Sequence, residues 1–313
     1  TVPLPCYVAA VIAGPYASAG GTLETAKGEI GARVYGRAQL ADHLDADELL
    51  GTVQAGMELY ERVFGTPYPY EKYDQIFVPE YNLGAMENVG AVTISEDRLL
   101  FRSRPSEGER EMRLNVVLHE LAHMWFGNLV TMRWWDDLWL NESFAEWVGT
   151  WATEQVTEFS DAWVTFGASR KSVAYVQDQL PTTHAIVTEV PDTEATVSAF
   201  DMITYAKGAS ALKQLAAYVG EEAFFGGVAS YLRRYAFGNA TLAEFLAEVE
   251  ASAGRPLDAW AHAWLETPGV PTLRAEPGAW RSSWQVQRAS RPDRAAMRLQ
   301  GRRGYWLRCG PAA

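Results

Sequence analysis

The chain has 313 residues, of which 48% are hydrophobic and 12% aromatic, and its formal net charge is −12. This length and composition allow a sizeable core in one large domain or two smaller ones. The acidic charge argues against a nucleic-acid partner, and no apolar run is long enough to indicate a membrane span. The two cysteines, Cys6 and Cys309, show no disulfide or metal-binding pattern, which fits a cytoplasmic location.

Short strands and one long helix are expected in the first hundred residues. The expected strands cover residues 7–13, 31–37, 75–79 and 91–95. Residues 42–64 carry apolar side chains on one face and predict a helix that ends at Gly65. The first third of the chain is therefore rich in strands.

Residues 106–126 predict the next helix. Ser106 and Glu109 have the spacing of a capping box, apolar residues follow at helical spacing, and Gly127 provides a stop. Within this helix His119 and His123 are one turn apart and project from the same face. Glu120 lies between them in the sequence.

This spacing suits a catalytic zinc site. Two imidazoles one turn apart can hold Zn²⁺ at about 2.0–2.1 Å, and Glu142, on a second predicted helix, can supply the third ligand. Three protein ligands leave one position open for water, which Glu120 can activate as a general base. The alternative for the pentapeptide alone is a helix whose two histidines bind no metal.

Helices dominate from about residue 161 onward. Thr241 and Glu244 form a second capping box that opens a helix over 242–253, and Pro256 begins another over 256–265. A strand-rich N-terminal lobe followed by a helical C-terminal lobe is an α+β arrangement, and the zinc site would lie between the two lobes.

The composition changes near the C-terminal end. Residues 267–271 are typical of a linker, and residues 274–313 contain nine Arg against two acidic residues. We therefore expect a catalytic domain over residues 1–267, followed by a linker and a truncated or atypical tail over 268–313. Residues 275–313 are expected to be loosely packed.

Four motifs occur in a fixed order along the chain. They are Gly84-Ala85-Met86-Glu87-Asn88, the His-Glu-x-x-His helix, Glu142 after eighteen intervening residues, and Phe200-Asp201-x-x-x-Tyr205-x-Lys207-Gly208-Ala209. With these motifs the chain resembles the catalytic domain of the aminopeptidase N family of gluzincin zinc metallopeptidases, and actinobacterial-type members in particular. The resemblance runs from about residue 1 to residue 274. It implies a thermolysin-like catalytic domain.

The resemblance also implies a metal site and a reaction. One Zn²⁺ per chain would be bound by His119, His123 and Glu142, and Glu120 would activate the zinc-bound water. Tyr205 would donate a hydrogen bond to the oxyanion, a contribution that commonly amounts to a few kcal/mol. Without the motif, Tyr205 would be interpreted as an ordinary core or surface tyrosine.

The first motif implies how a substrate is held. Glu87 would bind the free α-amino group of a peptide, Gly84 and Ala85 would offer backbone groups, and Met86 and Asn88 would complete the substrate-binding segment. An exopeptidase has to hold an ammonium group at a fixed distance from the scissile carbonyl, and a carboxylate is suited to that task. The alternative for Glu87 is a solvated loop acid.

Two residues of the second ligand helix carry separate expectations. Glu146 is expected to be a solvent-exposed helix acid, and the alternative is a partner that orients a zinc-binding histidine. Ser143 stands where the family commonly has glycine, a change that leaves the ligand set intact.

Several alternatives to a zinc aminopeptidase remain open. Members of the family usually carry a β-domain before the catalytic domain and further domains after it, so flanking domains of a longer enzyme would be missing here. The chain could then be a catalytically impaired zinc- or peptide-binding fragment. An epoxide hydrolase of the leukotriene A4 hydrolase type is disfavoured by Ala85, where that branch tends to have glycine, and a thermolysin-type endopeptidase has no need for Glu87.

Overall fold

The structure, a computed structural model, describes residues 4–269, 273–277, 283–288 and 296–300. The strands are β1 Tyr16–Thr25, β2 Gly28–Arg37, β3 Asp74–Val78, β4 Ala85–Met86, β5 Ala91–Ser95, β6 Val130–Met132, β7 Gly238–Ala240, β8 Leu273–Pro277, β9 Ser283–Arg288 and β10 Ala296–Gln300. The helices are α1 Ala46–Phe64, α2 Glu96–Leu99, α3 Glu107–Ala122, α4 Leu138–Val156, α5 Ala162–Phe166, α6 Ser172–Gln177, α7 Thr193–Ala199, α8 Gly208–Val219, α9 Glu221–Tyr235, α10 Leu242–Ala253 and α11 Asp258–Trp264. Two π-helical turns, Gly167–Lys171 and Ile203–Lys207, lie between helices of the second half.

A five-stranded mixed sheet forms the N-terminal lobe, with the strand order β1-β2-β3-β5-β4. β1 and β2 form an antiparallel hairpin, β2, β3 and β5 run parallel, and the short β4 pairs antiparallel to β5 at the edge. Helices make up most of the chain after β5. The predicted α+β class, with a strand-rich lobe before a helical lobe, is confirmed.

Aromatic side chains fill the core behind the ligand helices. Phe126 stacks on Phe144 of α4 with the ring centroids 3.4 Å apart, and Phe64 of α1 contacts both Phe144 and Trp125. α3 and α4 approach closely at Gly149, where an added Cβ would lie 3.1 Å from the backbone of His119. A side chain at this position would push the two helices apart, so glycine sets their spacing.

The first ligand helix begins as predicted and ends early. The Ser106–Glu109 capping box is present, but α3 ends at Ala122 rather than at residue 126. Met124 and Trp125 donate to carbonyls three residues back, which tightens the last turn. His123 nevertheless keeps a right-handed helical conformation and donates its N–H to the His119 carbonyl, so the one-turn spacing of the histidines survives.

Other predicted bounds differ by a few residues. α1 starts at residue 46 rather than 42, because residues 38–43 form a 3₁₀ turn, and it ends at Gly65 with a left-handed φ of 57°. β5 and α10 match their predicted ranges, including the second capping box, whereas α11 is shorter than predicted. Residues 7–13 are not a strand: residues 6–8 form a 3₁₀ turn, and β1 follows without having been predicted.

The predicted C-terminal tail lies largely outside the described residues. β8, β9 and β10 pair antiparallel in the order β10-β9-β8, and the domain boundary near residue 267 stays a prediction.

Within the described part of the chain, no helix combines the length and apolar character needed to cross a bilayer.

Candidate active site

Two helices bring the three predicted metal ligands together. His119 lies in the last turn of α3, His123 caps that helix, and Glu142 lies in the first turns of α4. The Nε2 atoms of the two histidines are 3.0 Å apart. Oε2 of Glu142 lies 3.5 Å from Nε2 of His119 and 3.6 Å from Nε2 of His123.

These donor atoms fit a tetrahedral cation. Ligands about 2.1 Å from a common zinc ion lie about 3.4 Å from one another, and the observed separations of 3.0, 3.5 and 3.6 Å are close to that value. Nδ1 of His123 faces two acceptors, the Phe126 carbonyl at 3.0 Å and Oδ1 of Asn141 at 2.8 Å. The ring proton of His123 therefore belongs on Nδ1. This leaves the lone pair of Nε2 free to bind a metal, on the side of His119 and Glu142.

Buried carboxylates in and around this donor set determine its electrostatics. Burial would raise the pKa of Glu142, but the adjacent imidazoles of His119 and His123 lower it to about 2, so the group is ionised at neutral pH. Burial raises the pKa of Glu120 well above its usual range against the opposing effect of His123, and Glu87 adds to the rise. Oε2 of Glu120 is buried and has no hydrogen-bond partner among the described residues. A cation beside this carboxylate would satisfy it and lower its pKa.

A further carboxylate on α4 lies behind the metal ligands. Glu146 is 4% exposed, so the expectation of a solvent-exposed helix acid is wrong. Its Oε2 lies 3.8 Å from Nδ1 of His119. Both of its oxygens accept hydrogen bonds from Arg170, at 2.6 and 2.7 Å, and this fork supplies the partner that a buried carboxylate requires.

Glu87 lies beside the metal ligands. It is 4% exposed, and ligand atoms of Glu87, Glu120 and His123 all lie within 4.8 Å of one another. The hydroxyl of Tyr7 donates to Oε1 of Glu87 at 3.2 Å, and Nδ2 of Asn128 donates to the Glu87 carbonyl at 2.8 Å. Glu87 is therefore not a solvated loop acid.

The residues before Glu87 form the edge of the five-stranded sheet. Ala85 and Met86 make up β4, which pairs with β5 on one side only. The Gly84 carbonyl accepts a hydrogen bond from the Ser95 N–H at 2.9 Å. In an antiparallel ladder the next residue then directs its backbone groups the other way, so the N–H and carbonyl of Ala85 point away from β5.

Asn88 is buried and braces the loop behind this edge. Its Nδ2 donates to the Val8 carbonyl at 3.1 Å, and its Oδ1 accepts from the Thr93 hydroxyl at 2.8 Å. Val8 and Tyr7 belong to the same short 3₁₀ turn, so the N-terminal segment is attached to the loop at two points. No local pattern in the sequence indicates this contact of Tyr7, because its partner is 80 residues away.

Tyr205 reaches the site from the second π-helical turn. Its ring lies nearly parallel to that of His119, with 22° between the planes and 6.4 Å between the centroids. Burial raises the pKa of Tyr205 well above 10, and the nearby carboxylates, Glu142 first, raise it further. The phenol is therefore protonated at neutral pH and can donate a hydrogen bond.

A hydrogen bond from Ser143 connects this turn to α4. Its fully buried hydroxyl donates to the Thr204 carbonyl, next to Tyr205 in the chain. Gly208, which begins α8, packs against the same side chain, and a Cβ at this position would overlap Oγ of Ser143. Because only glycine fits this contact, Ser143 and Gly208 together set the position of the turn.

Asp201 holds the start of the same turn. Its Oδ1 accepts hydrogen bonds from the backbone N–H groups of Ile203 and Thr204, at 2.9 and 3.0 Å. Its Oδ2 lies 2.9 Å from Nε2 of His184 and also accepts from Gln177. The Phe-Asp motif therefore has a structural role as well as its predicted place beside Tyr205.

His119, His123 and Glu142 form the donor set, Glu87 and Glu120 cluster with His123, and the Tyr205 ring faces that of His119. Gly84, Ala85, Met86 and Asn88 belong to the edge strand and the flanking residues that carry Glu87. A His₂Glu donor set with a carboxylate between the histidines is the arrangement of a metal-dependent hydrolase. Three contributors lacked a clear sequence signal, namely Tyr7, Arg170 and Asn141. Only Asn141 was close to a predicted residue, since it precedes Glu142 in the chain.

Comparisons with known proteins agree with this class. Residues 49–264 match the model of the peptidase family M1 domain. The chain is 49% identical over 272 residues to aminopeptidase N of Streptomyces lividans, covering 86% of this chain and 32% of that protein. It is 40% identical over 234 residues to leucyl aminopeptidase of Saccharolobus solfataricus, covering 75% of this chain and 30% of that protein.

A third relative is the tricorn protease-interacting factor F2 of Thermoplasma volcanium, 38% identical over 218 residues, 70% of this chain and 28% of that protein. The chain thus spans about a third of the length of these curated relatives. The chain belongs to peptidase family M1. The resemblance to actinobacterial aminopeptidase N predicted from the four motifs is confirmed.

Proposed function

We propose that this chain carries the catalytic site of a zinc aminopeptidase, which hydrolyses the N-terminal peptide bond of peptides with a free α-amine. The observation that carries the proposal is the position of Glu87, a buried carboxylate that shares a cluster with Glu120 and His123 next to the metal ligands. A hydrolase that cleaved internal bonds would not require an ammonium-binding group at this place. The aminopeptidase names of the relatives support the same reaction.

The charges of the site support this substrate. Glu87 and Glu120 cluster with His123, Glu142 clusters with the same histidine, and the three carboxylates carry three negative charges when ionised. One divalent cation and one substrate ammonium supply three positive charges, so a peptide with a free N-terminus balances the site. An N-blocked peptide would leave a buried carboxylate without compensation, which is unfavourable.

Each residue has a part in the proposed reaction. One Zn²⁺, held by His119, His123 and Glu142, would supply Lewis acidity toward the scissile carbonyl and the attacking water. Glu120 takes a proton from the attacking water and delivers it to the leaving amine. The Tyr205 phenol donates to the oxyanion that develops on the carbonyl.

The substrate backbone is proposed to add to the free edge of the sheet. The N–H and carbonyl of Ala85 point away from β5 and are placed to pair with an extended peptide. Gly84 has its carbonyl engaged by Ser95, so Ala85 offers the backbone pair. Met86 and Asn88 then act by shaping and bracing this segment. The flanking parts of a longer enzyme, and a cytoplasmic location, remain predictions.

A pair of substrates tests the proposal. The zinc-loaded chain is incubated with a chromogenic amino-acid amide and with the same compound N-acetylated. We expect cleavage of the free-amine substrate alone, because only that substrate pairs with Glu87. Equal cleavage of both would contradict amine binding and favour an endopeptidase, and zinc binding without any cleavage would favour a binding-only fragment.

A matched variant sharpens this test. Glu87→Gln keeps the shape of the side chain and removes its charge, so KM for the free-amine substrate should rise while zinc binding is retained. Glu222→Gln, in the first turn of α9, removes an acid outside the site and serves as the control. Unchanged KM in Glu87→Gln would reject the assigned role of Glu87.

A further inference from the structure

Arg170 connects two groups of the proposed site that are distant in sequence. It lies in the π-helical turn Gly167–Lys171, and Tyr205 lies in the other π-helical turn. The Arg170 guanidinium binds both oxygens of Glu146, at 2.6 and 2.7 Å. Its central carbon also lies 5.8 Å from the centroid of the Tyr205 ring, within the range of a cation–π contact.

These contacts close a ring of four side chains. Glu146 approaches Nδ1 of His119 at 3.8 Å, and the His119 ring lies nearly parallel to the Tyr205 ring, with 6.4 Å between the centroids. Arg170 completes the ring, because it contacts Glu146 on one side and Tyr205 on the other. One guanidinium therefore contacts both the carboxylate behind a proposed metal ligand and the ring of the proposed oxyanion donor.

The geometry explains why an arginine is needed. Glu146 is buried, so its carboxylate requires a charged partner, and the planar fork of a guanidinium satisfies both oxygens at once. The same planar cation can lie against an aromatic ring while it holds a carboxylate. A lysine has one ammonium and cannot make the two parallel hydrogen bonds.

We propose that Arg170 is a positioning residue, which fixes Glu146 behind His119 and the Tyr205 ring beside it. It touches neither the metal ligand atoms nor the proposed substrate groups and acts through its two neighbours. Loss of Arg170 then has two consequences. Glu146 loses the partner that directs it at His119, so zinc affinity falls, and the Tyr205 ring loses one of its supports, so kcat falls.

This inference rests on the proposed zinc site, and the test therefore begins with metal binding rather than with activity. Zinc dissociation constants are measured by chelator competition for the parent chain and for His119→Ala, Arg170→Ala, Arg170→Lys and Glu146→Gln. Partners of metal-binding histidines typically contribute 10- to 100-fold in affinity. We expect Arg170→Ala to weaken zinc binding by about tenfold or more, with Arg170→Lys between Arg170→Ala and the parent.

A double-mutant cycle separates positioning from general stability. In the Glu146→Gln background, Arg170→Ala should weaken zinc binding much less than in the parent, because the two residues act through one contact. Arg170→Ala should also lower kcat with little change in KM, and this loss should be smaller in the Tyr205→Phe background. Arg234→Ala is the matched control, since Arg234 binds the buried Glu248 at 2.7 Å on α9 and α10, elements that carry no predicted site residue.

The outcomes distinguish the two proposals. A parent chain that binds no zinc, or binds it equally well as His119→Ala, overturns the proposed function and this inference together. Tight zinc binding by the parent with unchanged affinity in Arg170→Ala and Glu146→Gln overturns the inference alone. Equal losses in Arg170→Ala and Arg234→Ala would also overturn it, because the effect would then be one of stability. If Arg170→Ala does not fold, Arg170→Lys and Glu146→Gln give the same comparison.

Discussion

The α3–α4 helix pair and the two π-helical turns beside it meet at one site but are held in different ways. The helix pair is packed along its length, with Gly149 allowing close backbone approach and stacked aromatic rings behind it. The π-helical turns are additionally fixed by side-chain contacts at specific points, namely Arg170 on Glu146, Ser143 on Thr204 and Asp201 on His184, while Ile203 and Ala206 of the second turn pack into the core. The metal ligands come from the helix pair, and Tyr205 comes from the turn whose position these point contacts fix.

This difference predicts separable effects of substitution. Changes on the helix pair should alter metal binding or the proton transfer that depends on it. Changes at the point contacts should displace Tyr205 while the donor set remains in place. Arg170 is the exception, because it contacts both regions.

The largest effect is expected at Glu120, on the helix pair. Glu120→Gln keeps the size of the side chain and removes the general base, so kcat should fall by about 10²- to 10⁴-fold. Zinc stoichiometry should stay at one per chain, because Glu120 is outside the proposed ligand set. Activity assays and metal analysis of the same sample measure both quantities. Activity close to that of the parent would exclude Glu120 as the base.

Tyr205→Phe is the corresponding change in the second region. Removal of the phenol should lower kcat by about 10²- to 10³-fold with KM and zinc affinity unchanged, because the hydroxyl is used only when the oxyanion forms. The control is Tyr175→Phe, at a tyrosine that is 45% exposed on α6. A rise in KM with unchanged kcat would show that Tyr205 binds the substrate rather than the transition state.

The contact between Ser143 and Gly208 tests how strictly the turn is positioned. A methyl group at residue 208 would overlap the Ser143 side chain, so Gly208→Ala should lower the free energy of unfolding by about 1–3 kcal/mol. Urea denaturation measures this change. The control is Gly51→Ala in α1, where no atom lies within 4 Å of an added Cβ. That variant should be neutral or more stable by about 0.4–1 kcal/mol.

A second substitution identifies the cause. Ser143→Gly removes the atoms that a methyl group at residue 208 would meet, so the double variant Ser143→Gly/Gly208→Ala should recover part of the lost stability. It should not recover full activity, because the hydrogen bond to the Thr204 carbonyl is lost as well. Simple additivity of the two changes would contradict the proposed contact.

The same contrast explains what the sequence could predict. The positions of His119, His123 and Glu120 follow from helical spacing, and the capping boxes locate the helix starts, because these are local effects of backbone geometry. The burial of Glu146 depends on Arg170, 24 residues away, and no spacing rule relates the two. Tyr7 and Glu87 are 80 residues apart, so local sequence patterns do not predict their contact either.

The errors in the predicted elements have similar causes. Residues 7–13 were expected to be extended because they are apolar, but residues 6–8 form a turn, with Tyr7 and Val8 covering the loop that carries Glu87. α3 ended early because tightened hydrogen bonds at its last turn replaced the helical pattern. Tertiary contacts therefore overrode local preference at residues 6–8, whereas the early end of α3 reflects local hydrogen bonds.

The smallest expected effect concerns His184, which supports the turn of Tyr205 through Asp201. Nδ1 of His184 faces the Ala185 carbonyl at 2.7 Å and Nε2 faces Asp201 at 2.9 Å, so only the doubly protonated ring satisfies both acceptors. The hydrogen bond to Asp201 raises the pKa of His184. Burial would raise the pKa of Asp201, but His184 and the backbone N–H groups lower it.

These shifts fix the sign of the pH dependence. The stabilisation from His184 is fully present below its unfolded pKa of about 6.5 and is lost as the pH rises through the raised folded value. The stabilisation from Asp201 is present above about pH 4 and is lost as the pH falls through the lowered folded value. The pair therefore stabilises the chain most between about pH 4 and 6.5.

His184→Gln should accordingly destabilise the chain more at pH 5.5 than at pH 9, by less than about 1 kcal/mol because the pair is only half-buried. Urea unfolding of the metal-free chain at the two pH values measures the difference without interference from protonation of bound metal ligands. His262→Gln is the control, since His262 of α11 forms an exposed pair with Glu266, just beyond the end of that helix. An equal destabilisation by His184→Gln at both pH values would show that the ring acts through its shape rather than through its charge.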